Sequence, residues 1–186
     1  MKSIVNLAFI LSGVSLICMS ASAQVKTDHS LNKSKAEVKM ETNKNLDSNK
    51  AIIRKLYYEI LNTGKLELLS QVVSDEYTGP QGMKGPAGFA EAIKPVILAF
   101  PDIKWTIEDI IAEGDKVMVR WSWTGTNKGS FDGFPPTNKV VNHNAINIFL
   151  FSDDKIIKAW MQSDRLGFYQ QIGVISLDAV KPLVKN

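Results

Sequence analysis

Imidazole and thiol chemistry are scarce in this 186-residue chain, which holds two histidines, His29 and His143, and one cysteine, Cys18. A thiolate nucleophile or a His/Cys metal site therefore lacks material, and carboxylates, amides and phenols are left to do any chemistry. His143 stands near the start of the apolar run 140–151. There an imidazole either relays a proton or lies half-exposed at a rim. His29 sits in a stretch of Lys, Asn, Ser and Thr and carries no role. Arg120 interrupts a strand whose alternate residues are Val117, Val119, Trp121 and Trp123. It reaches inward to hold an anionic oxygen, or it pairs with an acidic residue on a solvated face. Asp164 closes the final apolar stretch, where a carboxylate pairs with Arg165, caps the next turn or works on a ligand. Side chains alternate along a strand, so Trp160, Gln162 and Asp164 share one face, and His143, Ala145 and Asn147 share another.

The elements that must position these groups follow from periodicity. Ile52, Ile53, Leu56, Tyr57, Ile60 and Leu61 recur at helical spacing, after Asp47 or Ser48 as a cap and before Gly64 as a stop. Tyr57 and Tyr58 on this helix pack in the core or line an interior. A short helix over 66–73, a Gly/Pro loop and a helix over 87–99 complete the first half. Beyond Pro101 the period drops to two, and strands are predicted over 103–112, 116–124, 140–151 and 155–164. A final short helical or irregular tail follows. Three helices before a run of antiparallel strands define an α+β fold. A twisted sheet of this length curls, and the helices close its open side, giving a cone around one enclosed pocket.

The ends of the chain differ in composition. Lys2, the apolar run 4–19 and the small residues Ala21-Ser22-Ala23 form a secretory signal peptide, with cleavage near Ala23 and a periplasmic or secreted product. Its apolar run is too short for a stable membrane span. Cys18 lies inside this leader, and the bulky Ile17 before it disfavours lipid attachment. Residues 24–46 are too polar to bury much surface and read as a flexible spacer, leaving 47–186 as the domain. Lys2, and six lysines against four acidic residues in 24–50, account for the positive charge. Residues 51–186 carry fifteen basic and fifteen acidic residues. A neutral domain argues against a nucleic-acid surface, which needs a clustered positive face.

Phe100-Pro101-Asp102, Glu113-Gly114-Asp115, Gly125-Thr126, Gly133-Phe134-Pro135-Pro136-Thr137 and 160–164 occur in an order and spacing that resemble the SnoaL-like polyketide cyclases and the looser ester-cyclase group. The resemblance covers most of residues 48–175 and implies the nuclear-transport-factor-2-like cone. It further implies intramolecular ring closure without metal or cofactor, with Asp164 at the position of the family's acid/base and Asn147 where a polar pocket residue is frequent. Trp160, Gln162, His143, Arg120 and Tyr57 are the remaining candidates for ligand contact. Ala159 and Thr78-Gly79-Pro80 stand where many relatives place a His or Asn, so chemistry other than polyketide cyclisation stays open. The expected activity is that of a cyclase, lyase or isomerase on a small, apolar, oxygenated molecule. The alternatives are a non-catalytic module binding a small hydrophobic ligand, and an interaction domain whose aromatic sheet face holds a homodimer.

Overall fold

The computed structural model describes residues 21–176, so the leader expected over 1–23 lies almost wholly outside the described residues. The chain divides into two compact units, 1–41 and 42–186. The first is helical over its described residues and belongs to α1, Ala21–Arg54. The segment 24–46 is therefore helical where a flexible spacer was expected. No Gly or Pro interrupts 21–61, and Lys, Ala, Glu and Met favour the helix even where they bury nothing. Val38 and Met40 are 63% and 73% exposed, as its composition requires. Among the described residues no helix is long and apolar enough to cross a membrane.

In the second unit the helix tightens its face rather than stopping at a cap. Lys55–Leu61 is a π-helical stretch, and the amides of Asn62 and Lys65 reach back five residues to Tyr57 and Ile60. The wider turn directs Leu56, Tyr57, Ile60 and Leu61 inward together. A 3-10 turn, Leu66–Gln71, replaces the expected short helix. It is followed by a strand that the periodicity does not reveal, β1, Val73–Thr78. Helix α2 is Gly85–Ala99, and the remaining strands are β2, Lys104–Glu113, β3, Lys116–Thr126, β4, Val140–Ser152, and β5, Lys155–Ser163. The chain then turns into α3, Arg165–Ile172.

The five strands form one curved sheet in the order β1-β5-β4-β3-β2. Four of them are antiparallel as expected. β1 instead runs parallel to β5, pairing Val73 with Ile156, so the sheet is mixed. β1 was illegible because VSDEYT has only two buried residues, Val73 and Tyr77, at its two ends. The inner face presents Val117, Val119, Trp121 and Trp123 of β3 to Ile53, Leu56, Tyr57 and Ile60, all buried. Each such aliphatic or aromatic side chain contributes about 1.5–3 kcal/mol by leaving water.

The motif pieces turn out to be a lock. Asp102 accepts hydrogen bonds from the amide and the hydroxyl of Thr126, both at 2.7 Å. These bonds, the hydroxyl's first, lower the Asp102 carboxyl below its ordinary value. Gly125 sits close beside the lock: a Cβ there would lie 3.2 Å from Phe100 Cβ and 3.3 Å from the Ile103 backbone, tighter than an ordinary contact. Phe-Pro-Asp and Gly-Thr thus tie the start of β2 to the end of β3.

Candidate active site

Register assigns every candidate to a face. Trp123 pairs with His143, Trp121 with Ala145, and Val119 with Asn147, which places His143, Ala145 and Asn147 inside the cone. On β5, Met161 lies opposite Asn147 and Ser163 opposite Ala145. Gln162 and Trp160 lie opposite Ile146 and Ile148 and point outward. The expected shared constellation is thereby divided: Tyr57, His143 and Asn147 are inside, while Trp160, Gln162 and Arg120 are outside. The parity argument fails at its last residue. Asp164 has φ −77° and ψ 74°, has left the strand, and is the N-cap of α3.

Outside, Arg120 donates through Nε and a terminal nitrogen to Asp109, both at 2.6 Å, on an exposed surface. The solvated-face alternative is the one the structure adopts. Arg120, Gln162 and Asp164 border one open depression of about 280 Å³ on this face, with Asn144, Ile146 and Ser163.

Inside, the end of the cone beneath α3 is an aromatic cluster with His143 at its edge. The imidazole meets Trp121 at 6.0 Å, Trp123 at 5.5 Å and Phe168 at 5.3 Å between centroids, all tilted or edge-on. It makes no hydrogen bond among the described residues. Half-burial lowers its pKa from 6.5, and the nearby Asp164 charge opposes that shift. Burial thus favours the neutral imidazole, while the Asp164 charge favours the protonated one. Deeper in, Trp121 Nε1 donates to Asn147 Oδ1 at 2.7 Å. Tyr57 is buried beside Trp121, centroids 6.4 Å apart, and burial raises its phenol well above the usual value.

Helix α3 holds Phe168 against this histidine, and the charge of Asp164, at the border of the outer depression, also reaches the imidazole. The helix was missed in the sequence, where 165–172 read as an uncertain tail. Asp164 Oδ1 accepts from the Gly167 amide at 2.8 Å, closing the first turn. A Cβ at Gly167 would come within 2.1 Å of Asp164 Oδ2, so a larger residue there would have to push the capping carboxylate aside. Gln171 clasps the backbone of Asn142, next to His143, by giving and receiving one 2.8 Å hydrogen bond each. The signal available was the Asp-x-x-Gly spacing and the apolar pair Phe168 and Ile172, four residues apart.

The interior at this end is filled rather than empty. Phe100 lies 4.9 Å from Trp123, 6.0 Å from Phe168 and 6.2 Å from Phe131. The enclosed pocket expected here is occupied by the protein's own rings. A second depression, of about 460 Å³, is lined by Asn45, Asn49, Asp115, Phe151, Asp153 and Asp154, with neighbouring turn residues, away from His143. Among the described residues no group of three or more His, Cys, Asp or Glu is arranged to hold a metal.

A curved five-stranded sheet closed by helices, with one half-buried histidine on its inner face, defines a cone-type α+β domain. The profile of the SnoaL-like polyketide cyclases matches residues 51–172, and the chain belongs to that family. Among solved structures, a provisionally named polyketide cyclase from Acidithiobacillus ferrooxidans is 31% identical, with a TM-score of 0.61 over 67% of this chain and 94% of that one. TsrD from Streptomyces laurentii is 26% identical, with a TM-score of 0.61 over 69% and 95%. A SnoaL-like polyketide cyclase from Agrobacterium tumefaciens, 21% identical with a TM-score of 0.57 over 65% and 95%, shares the fold. No curated protein matches the sequence.

Proposed function

We propose that the His143–Asp164 end of the cone is the acid/base centre of a cofactor-independent cyclase, lyase or isomerase acting on a small, apolar, oxygenated molecule. The observation that carries this reading is the imidazole itself: half-buried among rings, without a hydrogen bond among the described residues, lowered by burial and under the opposing charge of Asp164. A neutral imidazole of this kind takes a proton from the carbon beside a carbonyl. The enolate carbon then attacks a second carbonyl of the same molecule, and the imidazolium returns its proton to the resulting alkoxide. Atoms and electrons balance without a further reactant. Asp164 stabilises the imidazolium, and the Tyr57 phenol and Asn147 amide are further polar groups on the inner side. Membership of the cyclase family supports the same reaction class.

A substrate-free test uses 2-acetyl-1-tetralone, an apolar diketone with an acidic carbon, in deuterated buffer. The wild-type chain should speed deuterium uptake, and His143→Gln should reduce that acceleration by about two orders of magnitude or more. Asp164→Asn should reduce it to a lesser degree. Binding of the probe without acceleration would favour the non-catalytic binding module.

Two further parts of the reading concern setting. Across the outer face, Ile111, Met118, Ile148 and Trp160 stand in register on four adjacent strands. Ile111, Ile148 and Trp160 are 58%, 40% and 44% exposed, and such a row supports a homodimer formed face to face. The sequence of residues 1–23 supports export. Mass spectrometry of the protein from its host should find Gln24 at the N-terminus, and a retained Met1 or an acylated Cys18 would overturn this.

A further inference from the structure

The loop between β3 and β4 is built in two parts of different kinds. Its neck, around 127–129 and 137–139, is fixed from inside. Asn127 is buried, and its Oδ1 accepts from the amide and hydroxyl of Thr137 while its Nδ2 donates to the Gly129 carbonyl. The Asn127 and Asn138 backbones bond across the neck at 2.9 Å, and the amides of Lys128 and Gly129 both bond the Ala99 carbonyl. Gly129 passes so close to α2 that a Cβ would lie 2.5 Å from the Leu98 oxygen.

The tip is a hairpin of four residues. Phe131 and Phe134 exchange two backbone hydrogen bonds, at 3.0 and 2.9 Å, around Asp132 and Gly133, whose φ values are 48° and 82°. Positive φ at both central residues is the tight turn that matches strand twist, but a hairpin this short is marginal in water, so its two bonds last only while the tip is docked. One ring of this hairpin, Phe131, enters the aromatic end of the cone, 5.2 Å from Phe168 and 6.2 Å from Phe100. The other, Phe134, rests outside on Tyr169 at 6.3 Å. What holds the tip down is polar and exposed. The Tyr169 hydroxyl donates to Asp132, and Arg165 donates to the same hydroxyl at 3.1 Å and pairs with Asp132 at 3.9 Å.

We propose that this hairpin is a removable plug, with Phe131 occupying the place a ligand's ring takes when the tip swings out on its fixed neck. The inference rests on the reading that the ligand site is the His143 end, and it explains why a chain with a binding cone has a filled interior. Phe168, which touches both Phe131 and His143, is the wall shared by plug and site. A water-exposed latch holding an apolar ring is the arrangement that lets the tip open without unfolding the neck, because the two sets of bonds are independent. Phe131 would then set ligand specificity, since only a flat apolar group replaces its contacts.

Amide hydrogen exchange and binding of 2-naphthol test this on the whole folded chain. In the wild type the Phe131 and Phe134 amides should exchange faster than those of Asn127 and Asn138. Tyr169→Phe removes the latch hydroxyl and should speed the tip amides about tenfold, the worth of one hydrogen bond to a charged group, with the neck unchanged. Phe131→Ala should bind 2-naphthol about tenfold or more tightly than the wild type, as apolar cavities bind rings. Phe134→Ala should not. Tip and neck accelerating together, or neither, would overturn the plug. So would equal naphthol affinity in Phe131→Ala and wild type. If Phe131→Ala fails to fold, the Tyr169→Phe exchange result decides alone. None of these readouts involves proton transfer, so a failed tetralone assay leaves the plug standing, and the reverse.

Discussion

Along β3, Val119, Trp121 and Trp123 face into the cone, while Met118, Arg120 and Ser122, each one residue away, face out. The two faces solve opposite problems with the same backbone. Inside, every polar atom needs a partner: Trp121 Nε1 has Asn147, while His143, with no hydrogen bond among the described residues, has the charge of Asp164. Outside, Arg120 meets Asp109 and Ser122 meets Glu108, with water available to any that lose their partner. Polar residue type alone therefore says little about function here. A histidine that gains its character from burial differs from an arginine that merely pairs on a surface.

The sharpest way to break this comparison is to truncate one residue on each face. Trp121→Ala should lower stability by about 3–5 kcal/mol in urea unfolding, from lost burial and a remaining cavity. Trp160→Ala should lower it by less than about 1 kcal/mol in the monomer. Similar losses at both positions would remove the distinction between inner and outer face. Next in size is Asn147→Ala, which strands the buried Trp121 Nε1 and should destabilise by about 1–3 kcal/mol. Asn144→Ala, outward on the same strand, should stay within about 0.5 kcal/mol.

Smaller effects sharpen the outer half. Arg120→Ala should cost less than about 1 kcal/mol, and that loss should fade at high salt. Trp160→Glu should leave the fold intact yet reduce the mass measured by light scattering from a dimer to a monomer. A monomeric wild type would end the homodimer proposal. On the inner face, burial holds the His143 pKa below 6.5, so in the window just beneath 6.5 the unfolded chain binds a proton that the fold does not. Stability should therefore fall as the pH is lowered through that window, and His143→Gln should flatten the slope. An unchanged slope would mean His143 is not the group responsible.

What was legible in the sequence divides along physical lines. Strands β2 to β5 declare themselves because alternation of Val, Trp and Phe is strong wherever a face is buried. β1 is hidden because its buried residues are few and its partner lies far along the chain. The motif pieces mark the fold correctly, and the structure shows why: Asp102 and Gly125 are parts of a lock, with no role at the candidate site. Parity correctly keeps Trp160 with Gln162, but it cannot give the absolute phase, and it stops where Asp164 turns into α3. The plug and the clasp by Gln171 depend on contacts between residues about 30 to 40 positions apart, and no local pattern encodes those.

The central claim is that His143 and Asp164 act as one electrostatic unit, and NMR titration of the His143 ring protons tests it most directly. In the wild type the ring should titrate below 6.5, and in Asp164→Asn lower still, because the charge that favours the imidazolium is gone. A ring that titrates identically in both proteins would contradict the pairing and leave the cone without its acid/base centre.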